Sequence, residues 1–133
     1  MKKTVLSGKQ WILKELLKAG IHNFINGNIY KDNRPADSKS EDIVINSLTM
    51  TNEYLQNGVF NVNCYVPKKA VNISGKVQYH KDNKRLQEIA EKVYSVLGEV
   101  WAEDYNFSVV NHQDFEDNGD NYYNFRISLN AYP

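Results

Sequence analysis

Four carboxylates crowd one short stretch, Asp114, Glu116, Asp117 and Asp120, with His112 just ahead of them. Hard divalent cations take oxygen ligands, and acids alternating along a loop can supply them. The stretch therefore invites a calcium site or a small metal-dependent, nuclease-like enzyme. Its spacing lacks the glycine and terminal glutamate of a helix-flanked calcium loop, and Asn118-Gly119 in its midst marks a hairpin tip. A solvated hairpin is the stronger reading, and no metal ligand is assigned. A second cluster is basic: Lys68, Lys69, Lys76, Lys81, Lys84 and Arg85, flanked by Tyr65 and Tyr79. Cations interleaved with aromatic rings suit a nucleic-acid-binding module, whose affinity would fall steeply with salt. The chain as a whole is formally neutral, unlike the basic balance of most such modules, so a solvated basic loop is preferred.

Other reactive residues stand alone. Cys64 is the single cysteine. It alternates with Phe60, Val62 and Val66, which predicts a buried thiol and not the exposed, activated one that a nucleophile needs. One cysteine forms no intrachain disulfide, so the fold does not depend on an oxidising compartment. His22, His80 and His112 are far apart and have no cysteine companions. No nucleophile elbow and no glycine-rich phosphate loop occurs. The residues thus point to no catalytic, cofactor-binding or metal site.

The elements that would position these residues follow from periodicity. Ser7 as N-cap with Gln10 three residues on reads as a capping box for a helix over 8–19, ended by Gly20. A short strand follows at 27–31 after Asn26-Gly27. The polar stretch 32–42 reads as a flexible loop, long enough for an arm. Strands are expected at 43–50 and 58–66, the second closed by Pro67. Residues 68–81 read as loop, with a short strand possible at 76–79. Asp82 or Asn83 caps a helix whose apolar stripe, Leu86 through Val100 and Trp101, runs to about 101. A strand at 107–113, a turn over 114–121 and a strand at 122–129 complete the chain. Together these predict an α+β domain over 1–133: a mostly antiparallel sheet of four to five strands with two helices packed on one face.

A chain of 133 residues suits one domain with a modest core. The start Met1-Lys2-Lys3 suggests a signal peptide, but Lys9, Lys14 and Glu15 interrupt the apolar run, and a cytosolic setting at synthesis without membrane association is expected. Charge is uneven: Lys2, Lys3, Lys9, Lys14 and Lys18 begin the chain, and the acids from Glu103 to Asp120 crowd its end. Opposite ends of this kind can attract within a monomer or between copies. Asn61, Asn63, Tyr65, Tyr122 and Asn124, on outward strand positions, predict a polar but weakly charged sheet face suited to contact with another protein.

Three short strings carry a resemblance: Gly27-Asn28-Ile29-Tyr30, Arg34-Pro35-Ala36-Asp37-Ser38 and Glu41-Asp42-Ile43-Val44-Ile45. With the order of elements, they resemble tail-terminator and tail-completion proteins of bacteriophages, including the head–tail joining and neck proteins. The resemblance implies a tail-terminator-like domain that forms a homo-oligomeric ring, a hexamer or dodecamer, in the virion neck or tail. It implies assembly in the host cytoplasm, partners among tail-tube, connector or portal-associated proteins, non-specific contact with DNA in the lumen, and no catalysis. Under that reading Lys9, Lys14 and Lys18 belong to one subunit edge, and Asp114, Glu116, Asp117 and Asp120 to the other. Arg34, Asp37 and Glu41 sit on a loop that orders against a neighbour.

Overall fold

A computed structural model describes residues 2–133. Three helices and eight strands follow one another: α1 Val5–Lys18, α2 Ile21–Phe24, β1 Ile29–Lys31, β2 Asp42–Met50, β3 Gln56–Val66, β4 Lys69–Ile73, β5 Lys76–His80, α3 Asn83–Leu97, β6 Glu99–Trp101, β7 Tyr105–Asp117 and β8 Asp120–Ala131. Six strands form one mixed sheet in the order β1-β2-β3-β8-β7-β6, and β4 and β5 form a separate two-stranded sheet. The expected sheet of four to five strands under two helices is therefore corrected.

The corrections have physical reasons. Helix α1 begins at Val5, with Thr4 in the extended N-cap conformation, so Ser7 lies inside the first turn and forms no capping box. Gly20 does end it, at φ 75°, a left-handed conformation suited to glycine. Helix α3 is capped by Asp82, whose side chain accepts from the Arg85 backbone N–H at 3.1 Å. It stops at Leu97, and the next residues pair with β7 as strand β6, so Trp101 ends no helix and roofs no core. Where a loop is expected over 68–81, strands β4 and β5 form a β-hairpin, and the short strand possible at 76–79 is its second arm. Strands β7 and β8 run on almost to meet at Asn118-Gly119, with φ values of 52° and 83°, the two positive φ of a tight type I′ hairpin. Asp114, Glu116 and Asp117 thus lie in a strand, not in a turn.

The stretch 32–41 is a crossover, not an arm. Strand β1 pairs with β2 in parallel, Ile29 opposite Ile43 and Lys31 opposite Ile45. Parallel neighbours cannot be joined by a tight turn, because the chain must return to the end from which it started. The length of this connection follows from that return.

Strand β3 alternates as expected: Phe60, Val62, Cys64 and Val66 all face inward and are buried. They meet Ile12 and Leu16 of α1, Leu86, Ile89 and Val93 of α3, and Phe125, Ile127 and Leu129 of β8 in one core. Burial pushes the Cys64 thiol up to about 12. At pH 8 a charged disulfide reagent is therefore expected to leave folded protein unlabelled over hours and to label one thiol per chain at once in urea. Stoichiometric labelling without denaturant would contradict the packing.

Candidate functional site

Both long helices pack on one side of the large sheet, and the opposite side carries a lattice of amide and aromatic side chains. Asn61 stands at its centre. Its Oδ1 accepts from Arg126 Nε at 2.9 Å and from Asn124 Nδ2 at 3.2 Å, and its own Nδ2 donates to Asn46 Oδ1 at 3.0 Å. Asn124 also donates to Asn63 Oδ1 at 2.7 Å. Further along the strands Asn57 donates to Ser128 Oγ and Asn130 Oδ1, Asn130 to Asn106, and Asn106 to the Tyr132 hydroxyl. At the other end Phe115 stacks on Tyr122, Tyr122 lies against Tyr65, and the Arg34 guanidinium covers Tyr65 at 4.0 Å from the ring centre. Cross-strand neighbours on one face meet in this way because strand side chains repeat every second residue. The outcome is a wet face whose rotamers are fixed by mutual bonding before anything docks on it.

At the stacked end lies a cavity of about 530 Å³ whose walls include Arg34, Lys39, Tyr65, Lys68, Tyr79 and Asn121. Asn121 is 3 % exposed, and neither its amide nitrogen nor its amide oxygen has a hydrogen-bond partner among the described residues. Buried amides are almost always paired, which makes this one an exception in the wall of the cavity. Alternation along β8 places Asn121 on the inward side with Tyr123, and nothing in the sequence marks it as different from the outward asparagines.

The expected interface residues take several positions. Lys14, Lys18 and Asp37 are exposed. Lys9 is buried and grips Asp32, Nζ to Oδ2 at 2.8 Å. Glu41 is buried too, held by the Arg85 guanidinium in a two-bonded fork at 2.8 and 3.0 Å, which ties the start of α3 to the crossover. Neither is therefore a free surface charge. Arg34 is tethered to Asp42 at 3.2 Å and to Asp120 at 3.4 Å, so this end of the crossover is fastened to the chain's own β8.

The acidic stretch does not converge. Asp114 and Glu116 lie on one side of β7, and Asp117 lies on the other by strand alternation. Lys81 donates to Asp114 and holds its carboxyl below the usual carboxylate range. His112 Nδ1 lies 2.6 Å from the Tyr123 hydroxyl, beside Tyr94 of α3. Among the described residues no group of three or more His, Cys, Asp or Glu side chains is placed to hold a metal ion, so a metal centre built on Asp114, Glu116 and His112 is not formed. The basic residues likewise split: Arg85 is engaged at Glu41, while Lys69 and Lys76 sit on the exposed β4–β5 hairpin. No protein-family model matches the chain, and no curated protein sequence matches it either.

Proposed function

We propose that this protein is a structural component of a bacteriophage virion, of the tail-terminator or neck type. Copies close into a ring, a hexamer or dodecamer, that joins the tail to the head-side connector or portal-associated proteins. It works by surface complementarity without catalysis, in the neck of the virion, after assembly in the host cytoplasm.

The observation that carries the reading is the uncovered sheet face. Its amide lattice and its Tyr65–Tyr122–Phe115 stack offer area and directional bonds at low ordering cost, because the side chains are already held. Edge geometry adds support. Beyond Ser108, β7 pairs with β8 on one side only among the described residues. An unpaired strand edge is a ready template for another chain. The exposed Lys69 and Lys76 of the β4–β5 hairpin are consistent with weak, salt-sensitive contact with DNA in the proposed lumen.

Native mass spectrometry and electron microscopy test the proposal. Rings of one fixed order are expected, free or seated on the ends of isolated tail tubes. A protein that stays monomeric and binds neither tail tubes nor connector or portal-associated proteins would overturn it.

A further inference from the structure

Trp101 is a large apolar side chain left on the surface. It is 72 % exposed on the outermost strand, its ring left bare while Nε1 donates to Glu99 Oε1 at 2.7 Å. Glu103 and Asp104, beside it in the β6–β7 turn, are exposed and form no ion pair among the described residues. The result is an acidic knob with an aromatic tip. The cavity described above is basic on balance: Arg34, Lys39 and Lys68 line it against one acid, Asp120, which Arg34 already holds. Lys39 and Lys68 on its rim are exposed and likewise form no ion pair among the described residues.

The two cannot meet within one chain. Trp101 is paired opposite Asn106, near the start of β7, whereas the cavity lies at the Val66–Asn121 pair and the Asp120 end of the hairpin. From Asn106 to Asp117 the strand covers roughly 35 Å at about 3.3 Å per residue. Knob and cavity therefore sit at opposite ends of the sheet.

We infer that the cavity receives the Trp101 knob of a second copy of this chain. The contact is heterologous: each copy presents a knob at one end and a cavity at the other, and such contacts close into a ring when the rotation permits. The acids Glu99, Glu103 and Asp104 meet Lys39 and Lys68, and the ring fills an apolar-walled space beside Tyr79, Val66 and Pro67. Tryptophan in a desolvated pocket ringed by polar contacts is the usual centre of a protein interface. This inference rests on the ring-forming reading and names the surfaces that make the ring.

Sedimentation velocity on full-length protein tests it with paired charge reversals. Variant one carries Lys39→Glu and Lys68→Glu; variant two carries Glu99→Lys, Glu103→Lys and Asp104→Lys. Each alone is expected to be monomeric, because its knob repels its own cavity. An equimolar mixture is expected to assemble again, since each variant's knob then suits the other's cavity. Trp101→Ala, with an unchanged thermal melt, is expected to weaken assembly roughly 30-fold or more. Wild-type assembly that survives all the variants would overturn the knob-and-cavity contact while leaving the ring reading intact. Loss of assembly without recovery on mixing would overturn the pairing. A wild type that never self-associates at the highest soluble concentration would overturn this contact, and the tail-tube experiment would then decide the ring reading separately.

Discussion

Phe60→Ala is expected to lower stability by about 3–5 kcal/mol, measured as a shift of the urea midpoint at constant slope. The side chain is fully buried at the centre of β3, where α1 crosses the sheet. The crossing is close because the helix residue over the ring is Gly8. A Cβ built there would stand 2.1 Å from Phe60 Cζ. Gly8→Ala alone would raise helix propensity by about 1 kcal/mol, but the ring has no room to retreat. A net loss of about 1–3 kcal/mol is expected instead, the usual range for overpacking. The two positions share one contact, so their effects should not add. Gly8→Ala placed on Phe60→Ala should cost little or even stabilise, because the added methyl enters the space that the ring vacated. Strictly additive losses would mean that Gly8 is tolerated for its backbone and not for its lack of a side chain.

This contact also shows which parts of the fold were legible. Strand β3 could be read because one of its faces is dry and the other wet, so its apolar residues repeat every second position. The same holds for Phe125 to Leu129 of β8. The β4–β5 hairpin and the outer part of β7 could not be read in this way. Almost every side chain there is exposed on both faces, and no period survives. The parallel pairing of β1 is set by partners in space, and the polar crossover 32–41 has the composition of any loop. Val100 and Trp101 continue the apolar spacing of α3, but they belong to a strand whose outer residues face solvent.

The candidate site was legible in part for the same reason. The outward asparagines and tyrosines of β3 and β8 could be placed by alternation, and the structure brings Asn61, Asn63 and Asn124 into one bonded group. Charge runs were misleading, because a charge in a run reads as solvated whatever its partner. Lys9 finds Asp32, and Arg85 finds Glu41 across 44 residues, which no local pattern reveals. Asn121 looks like its neighbours in sequence and differs only in what surrounds it.

Asp42→Ala carries the other large expected effect, about 3–5 kcal/mol, because it removes a buried carboxylate that serves three donors and is the buried one of the two counter-charges of a mostly buried arginine. Asp42 is 1 % exposed and joins three segments. Its Oδ1 accepts from the Asn28 backbone N–H at 3.1 Å, and its Oδ2 accepts from Ser38 Oγ and from Arg34 Nη1 at 3.2 Å. Gly27 permits this approach, since a Cβ there would lie 2.1 Å from the same Oδ1. Removing the carboxylate leaves an amide and a hydroxyl short of this acceptor and a guanidinium held by the half-exposed Asp120 and the Ser40 carbonyl oxygen alone. Taking away both charges, as in Arg34→Met with Asp42→Leu, should cost less than Asp42→Ala alone, because no buried charge is then left short of its partner and Asp120, which loses Arg34, is half-exposed to water. Hydrogen exchange should report the release locally. Amides of residues 33–41 are expected to lose protection, and trypsin should cut after Lys39, while the core of β3 stays protected until global unfolding. Arg34 and Lys39 border the cavity where Asp42, together with Asp120, anchors the crossover beneath them. Asp42→Ala should therefore weaken self-association together with stability, whereas Trp101→Ala should weaken self-association with the urea curve unmoved. If both variants shifted the two properties in parallel, the cavity would be serving the fold and not a neighbouring subunit.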